Sequence, residues 1–329
     1  MKRRTFVRNS ALAGIAMSAL GLSYCTQPTS KESSETEDET SDSKLFFKMS
    51  LAQWSLNQSI REGGMDPMTF AKEASDLGFE GIEYVSQLYK PVYEKAATEE
   101  EGVAQLAKDL KKLAAENNVQ SLLIMIDGEG DLSILDEAER LKGVENHHKW
   151  VKAAAEMGCH SIRVNLFGDG TKEEQFAASV DSLNRLGTFA KDYNINVLVE
   201  NHGGYSSDPD WLVGVMQEVN MSNVGTLPDF GNFCLKREGG ERWGAPCIEE
   251  YPDKVEAVKK MMPYAKAVSA KTYAFNEKGE QDTIDYYKMI AMIRETGYNG
   301  FIGVEYEDGG DEKAGIIATK ELLIKAANA

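Results

Sequence analysis

The chain has 329 residues, 42% of them hydrophobic, which is enough for one large α/β barrel or two ordinary domains. Its 53 acids against 36 bases leave a formal charge of −17, a field that repels phosphate backbones and excludes nucleic acid as a natural partner. A small neutral or phosphorylated substrate is not excluded, because the charge of a site can differ from that of the whole chain.

At the start, Lys2-Arg3-Arg4-Thr5-Phe6 precedes a small and apolar run over residues 10–22, too short to span a membrane comfortably. The run ends at Leu22-Ser23-Tyr24-Cys25. Residues 1–25 resemble a twin-arginine export signal feeding a lipoprotein box, with Cys25 the lipidated residue, although Tyr24 departs from the small residue usual there. Plain cleavage or a retained anchor are the alternatives. The resemblance implies an exported, periplasmic protein whose only membrane contact is a lipid on Cys25. Residues 26–44 are rich in Ser, Thr, Glu and Asp, bury too little to fold, and read as a disordered acidic linker. Residues 45–329 form the expected globular part.

There, short apolar runs alternate with longer helical stretches. The candidate strands are 47–54, 79–85, 119–126, 161–166, 196–200, 224–229, 267–273 and 301–306. Helical spacing covers 67–77, 103–116, 143–157, 174–193, 211–219, 254–262 and 284–296. Leu77-Gly78-Phe79, Met157-Gly158-Cys159 and Thr296-Gly297-Tyr298 repeat one phrase, a glycine terminator before the chain turns into a strand. Eight strands with intervening helices predict a single-domain (β/α)8 TIM barrel. An open doubly wound sheet is the runner-up, disfavoured because no Gly-rich phosphate turn follows the first strand.

Three of these runs carry an acid at or next to their end: Glu200, Asp229 and Glu305. An isolated buried charge is costly, so such groups pair, bind metal or shift their pKa. In a barrel they converge at the carboxyl end, where the active site lies. Strand alternation puts Ser269, Lys271 and Tyr273 on one face of the seventh strand and Gly303, Glu305 and Glu307 on one face of the eighth. Oxygen ligands of this kind suit a divalent cation such as Mn²⁺ or Mg²⁺. Pairing of an acid with Lys271 or Arg163 instead is the competing structural reading.

The phrases Glu200-Asn201-His202-Gly203-Gly204, Asp229-Phe230-Gly231-Asn232-Phe233, Ser269-Ala270-Lys271-Thr272-Tyr273 and Val304-Glu305-Tyr306-Glu307 resemble the sugar phosphate isomerase/epimerase group of the xylose isomerase-like TIM-barrel superfamily. Asp127-Gly128-Glu129-Gly130 and Ile162-Arg163-Val164-Asn165 add to the likeness, which spans about residues 45–325. It implies one divalent metal held by Glu200, Asp229 and Glu305. The fourth ligand is uncertain, because Ser269 stands where the group often has histidine; His202, water or a substrate oxygen would complete the shell, or Lys271 would replace the metal. The implied reaction is proton abstraction next to a carbonyl, with Glu200 and Glu305 as base and acid and Lys271 and His202 as further catalytic candidates. The expected function is a sugar isomerase/epimerase acting on an extracytoplasmic carbohydrate or glycoside. The alternatives are a β-eliminating lyase of 3-keto-glycosides and a non-catalytic carbohydrate-binding barrel. A deoxyribonuclease fits poorly with the acidic charge and only 4 histidines.

Arg163, Asn165, His147, Asp127, Trp54 and Tyr273 are the expected substrate-binding residues, the two aromatics as stacking platforms for a sugar. Glu129 and Asp131 are placed at the mouth, and Gln53, Ser55, Glu83 and Gln87 are weaker rim candidates. His148 is expected to face solvent and His160 to be structural. The stretch 233–251, with Lys236, Arg237 and Trp243, is long for a βα loop and suits a lid. A Cys234–Cys247 bridge and buried free thiols are both open, and an oligomer is compatible with the sequence.

Overall fold

The computed structural model describes residues 45–329. The expected signal over 1–25, with Cys25, and the expected linker over 26–44 lie outside the described residues. Ten strands follow in chain order: β1 (Lys48–Ala52), β2 (Gly81–Val85), β3 (Gln120–Met125), β4 (Ser161–Val164), β5 (Asn196–Glu200), β6 (Val224–Leu227), β7 (Cys234–Arg237), β8 (Cys247–Glu250), β9 (Val268–Thr272) and β10 (Phe301–Tyr306). Eight of them form one sheet in the order β6-β5-β4-β3-β2-β1-β10-β9, and every neighbouring pair in it is parallel.

The two edges of this sheet meet. Parallel bridges join Thr226 to Ala265 and Asp229 to Ser269. The Ser269 N–H donates to the Pro228 carbonyl at 2.9 Å, and the Phe230 N–H donates to the Ser269 carbonyl at 3.1 Å. The sixth strand was expected to run to 229, but regular pairing stops at Leu227 because Pro228 has no N–H to give. The first strand likewise stops at Ala52, and Gln53–Leu56 turns as a 3-10 helix. The result is a (β/α)8 TIM barrel.

Ten helices connect the strands: α1 (Asn57–Arg61), α2 (Phe70–Asp76), α3 (Lys90–Tyr93), α4 (Glu99–Glu116), α5 (Glu137–Met157), α6 (Lys172–Lys191), α7 (Pro209–Val219), α8 (Lys254–Met261), α9 (Tyr286–Glu295) and α10 (Glu312–Ala327). The expected stretches correspond to α2 and α4–α9. Helix α10 lies beyond them, and α5 starts earlier than apolar spacing indicated because the Asp136 side chain caps the Glu139 N–H. Gly78 and Gly158 end α2 and α5 with φ of 73° and 80°, the left-handed geometry the repeated phrase requires.

The 233–251 stretch is not a plain loop. β7 and β8 pair antiparallel, and a Cys234–Cys247 disulfide closes the hairpin. Cys159 is a buried free thiol.

Inside the barrel, Glu83 is buried and accepts a 2.6 Å hydrogen bond from Ser50. It belongs to the barrel interior rather than the rim, where the sequence placed it. Gln53 also turns inward, donating to Tyr89 and accepting from the Val85 N–H. Gly303 makes room for Glu83, since a Cβ there would sit 2.5 Å from Glu83 Oε1. Gly303→Ala is therefore expected to destabilise the barrel by about 1–3 kcal/mol, the usual cost of overpacking, read as a lower urea midpoint. An unchanged midpoint would show that Glu83 has room to move.

Candidate active site

The site grows from the carboxyl ends of β5, β6, β9 and β10. Glu200 is the last residue of β5, Asp229 follows Pro228 after β6, and Glu305 lies near the end of β10. All are buried, and each offers one oxygen in a group whose atoms lie within 4.8 Å of one another. Asn201 and Asn232 shape this arrangement locally. The buried Asn201 accepts from the Asp229 N–H at 2.7 Å and donates to the Asp229 and Asn232 carbonyls. Asn232 donates to Glu200 Oε1 at 3.1 Å. Asp229 Oδ1 accepts the N–H groups of Gly231 and Asn232, each at 2.8 Å.

Two buried cations reach the cluster. Lys271 Nζ lies 2.9 Å from Glu305 and 2.7 Å from Glu307. Arg163 Nε lies 2.8 Å from Glu200 Oε2, and its Nη1 lies 2.8 Å from Asp127. Burial favours neutral Lys271, but Glu305 and Glu307 overcome it and hold its pKa well above the ordinary value. Against burial, Arg163 holds Asp127 below the usual carboxylate range.

These cations do not suffice. Burial pushes Glu83 up to about 8, and burial raises Glu200 and Asp229 as well, with Glu305 repelling both. Glu200 Oε2 and Arg163 Nε are close but misaligned, and neither makes a hydrogen bond. Ser269 Oγ sits 2.7 Å from Asp229 Oδ2 and 2.9 Å from Glu305 Oε2. A hydroxyl has a single hydrogen, so it satisfies only one of them at a time. Glu305 also has Lys271, whereas Asp229 has no ion-pair partner among the described residues.

The donor set fits a divalent cation on that ground: three buried, under-compensated carboxylates and an orphaned oxygen. Ser269 holds the acids together with a neutral hydroxyl. His202 does not join the group; its Nδ1 is 3.9 Å from Glu200 Oε2.

Histidine states follow from their partners. Asp127 only accepts, so Asn165 presents its NH₂ there at 2.7 Å and its Oδ1 to His202 Nδ1 at 2.8 Å. His202 Nδ1 is therefore the donor and Nε2 carries the lone pair. His147 Nδ1 donates to the Gly143 carbonyl at 2.7 Å, leaving its Nε2 an acceptor as well. Burial lowers His202 to about 3 and His147 to about 4, so both are neutral. His148 stacks on Phe189, and His160 contacts Ser161.

Above the cluster opens a cavity of about 650 Å³. Of the triad only Glu305 lines it; Glu200 and Asp229 lie beneath. Asp127, His147, Arg163, Asn165, His202 and Trp54 also line it. Trp54 donates to Glu307 at 3.1 Å. Tyr273 instead lines an adjoining cavity of about 450 Å³, which His202 shares. Glu129 is clamped by Lys149 and Trp150, each at 2.5 Å.

The hairpin covers the mouth. Arg242 makes a bidentate pair with Asp131 at 3.0 and 2.6 Å and lies over the Phe167 ring. Trp243 packs 4.7 Å from the His202 ring and 5.2 Å from Phe167. Sequence reasoning missed Phe167, Arg61, Arg242 and the anchoring role of Asn201. A buried amide directly after a strand-end acid was the available signal for Asn201.

A family model described as xylose isomerase-like TIM barrel matches residues 71–326. No curated protein matches the chain in sequence. Among solved structures, a D-psicose 3-epimerase crystallised with D-fructose aligns with TM-score 0.59 at 17% identity, over 85% of this chain and 96% of that one. A 3-keto-D-glucoside 4-epimerase from E. coli aligns with TM-score 0.58 at 15% identity, over 80% and 94%. A xylose isomerase-like TIM barrel protein from Mycobacterium smegmatis in complex with magnesium aligns with TM-score 0.60 at 17% identity, over 85% and 96%. Identities this low carry the shared fold.

The acid excess has a pH signature. Glu83, Glu200 and Asp229 release protons later in the folded chain than in the unfolded one, where carboxyls titrate near about 4. Their contribution to stability is whole at low pH and is lost as pH climbs, to about 8 for Glu83. The buried histidines act oppositely and cost stability below about pH 6.5. In chelator-treated protein the melting temperature is expected to fall between about pH 6.5 and 8, with added Mn²⁺ restoring more of it at the upper end. A flat profile in differential scanning fluorimetry would count against the excess.

Proposed function

From the premise that the chain belongs to the xylose isomerase-like TIM barrel family, we propose that it is a sugar isomerase or epimerase working by proton transfer next to a carbonyl. The observation that carries this reading is the buried triad Glu200, Asp229 and Glu305 under a polar cavity. The solved relatives support it: one is an epimerase of a ketose, another of a keto-glucoside.

Glu200, Asp229 and Glu305 would hold the cation, Mn²⁺ or Mg²⁺, as magnesium is bound by one relative. Such an ion supplies Lewis-acid polarisation of the carbonyl and stabilisation of enediolate charge. The remaining work belongs to side chains. Glu305, which reaches the cavity, removes the carbon-bound proton. An isomerisation returns it to the neighbouring carbon while the hydroxyl proton passes to the former carbonyl oxygen, and an epimerisation returns a proton from a second acid to the opposite face of the same carbon. Lys271, held charged beside Glu305, stabilises negative charge on the enediolate oxygen. Arg163 fixes Asp127 by a hydrogen bond, lies as a counter-charge beside Glu200, and through Asp127 and Asn165 sets the His202 tautomer. His202 Nε2 then accepts from a sugar hydroxyl. Trp54 offers a stacking face, and the hairpin excludes water.

A periplasmic carbohydrate is the proposed substrate, on the basis of the export-like residues 1–25. A second reading is β-elimination from a 3-keto-glycoside, which shares the first proton abstraction. The 450 Å³ cavity beside His202 supports it by offering space for a leaving aglycone.

Proton NMR of ketoses and 3-keto-glucosides incubated with the protein and Mn²⁺ in D₂O tests both. Wild type is expected to exchange the proton next to the carbonyl, and Glu305→Gln to slow this at least ~100-fold, the scale of general acid–base catalysis. Unimpaired exchange in the variant would remove the assigned role of Glu305. Released aglycone would favour the lyase, and sugar binding with no exchange would favour a binding barrel.

A further inference from the structure

The cavity wall has an uneven charge ledger. Five carboxylates line it, and each is already engaged: Asp127 by Arg163 and Asn165, Glu129 by Lys149, Asp131 by Arg242, and Glu305 and Glu307 by Lys271. Four guanidinium groups also line it, those of Arg61, Arg163, Arg237 and Arg242. Arg163 and Arg242 have carboxylate partners. Among the described residues Arg61 and Arg237 have none.

Arg61 is exposed and Arg237 half-buried, and both have contacts that place them at the cavity. Arg61 is held with its guanidinium carbon 4.5 Å from the centre of the Trp54 ring, which itself lines the cavity. Stacking of that kind leaves the guanidinium edge free to donate in its own plane. Arg237 is half-buried on β7, gives one N–H to the Ala245 carbonyl at 2.8 Å, and lines both this cavity and the one beside His202. In a chain of charge −17, with 53 acids to choose from, two guanidinium groups facing a sugar-sized cavity lack an internal partner. A planar carboxylate is the group that a guanidinium fork matches best.

We propose that the substrate of this site is an acidic sugar, and that its carboxylate is received at the cavity wall by the guanidinium groups left without a carboxylate partner, Arg61 or Arg237. This rests on the carbohydrate reading of the site. It narrows the class to uronate-type sugars or glycosides, and it makes Arg61 or Arg237 a specificity-determining residue rather than part of the proton-transfer machinery. The wall carboxylates share their cations, Lys271 serving both Glu305 and Glu307 and Arg163 serving Asp127 and Glu200, so Arg61 and Arg237 are the two guanidinium groups at the wall without a carboxylate partner among the described residues.

Trp54 and Trp243 both line the cavity, so their fluorescence reports binding. The full chain is titrated with glucuronate, glucose 6-phosphate and glucose at low and at high salt. Glucuronate is expected to bind at least ~10-fold tighter than glucose, with the preference shrinking in salt. In the Arg61→Gln/Arg237→Gln double variant the preference should vanish while glucose binding and the circular dichroism spectrum persist. A preference for glucose 6-phosphate over glucuronate would replace the carboxylate with a phosphate and overturn the uronate assignment. Equal affinities for glucuronate and glucose, or a preference that survives the double variant, would overturn the proposal outright. Deuterium exchange into neutral keto-sugars, run alongside, separates the two levels. Exchange without an acidic preference leaves the proton-transfer function standing and sinks only this inference. An acidic preference without exchange into any keto-sugar keeps this site and sinks the enzymatic reading.

Discussion

The structure depends on burying more negative charge than its buried cations neutralise. Glu83, Glu200, Asp229 and Glu305 are all buried in the barrel, against Arg163 and Lys271. Even those cations are shared with Asp127 and Glu307. The effective cost of stripping water from an ion is several kcal/mol, so a barrel does not accumulate such groups for stability. At least two carboxylates must take up protons or share a cation. That is the electrostatic state required of a site that binds a divalent ion and moves protons near neutral pH.

The rest of the architecture serves this centre. Strand alternation aims the acids inward, and closure between β6 and β9 brings Asp229 against Ser269. Ser269 ties Asp229 to Glu305 through its hydroxyl. The chain of Arg163, Asp127, Asn165 and His202 fixes one imidazole tautomer at the cavity wall. The cystine-closed hairpin then brings Trp243 and Arg242 over the mouth, tied to Phe167 and Asp131.

Much of this was legible in the chain itself. Eight apolar runs separated by helical periods specify the barrel, and Glu200, Asp229 and Glu305 mark its active end because buried strands seldom finish on acids. Helix α10 escaped because it follows an acidic, Gly-rich turn that blurs the apolar period. The hairpin escaped because β7 and β8 are short, the first largely half-buried and the second exposed throughout, so no alternation distinguishes them from loop. Cys234 and Cys247 were compatible with a bridge, but spacing alone does not choose between a disulfide and free thiols. Glu83 looked like a rim residue because depth along a strand depends on the tilt and register of its neighbours. Tyr273 shares its face with Lys271, yet it clears the barrel end and opens onto the neighbouring cavity. Interactions between distant segments, such as Arg242 with Asp131, carry no local signal at all.

The central claim is that Glu200, Asp229 and Glu305 form a cation site whose charge the protein leaves uncompensated. Electron paramagnetic resonance of free Mn²⁺ measures this directly, as the free-ion signal disappears on binding. Titration of chelator-stripped protein should show one saturable site per chain, lost in Asp229→Asn. The absence of saturable binding in the wild type, or identical binding in the variant, would contradict the account.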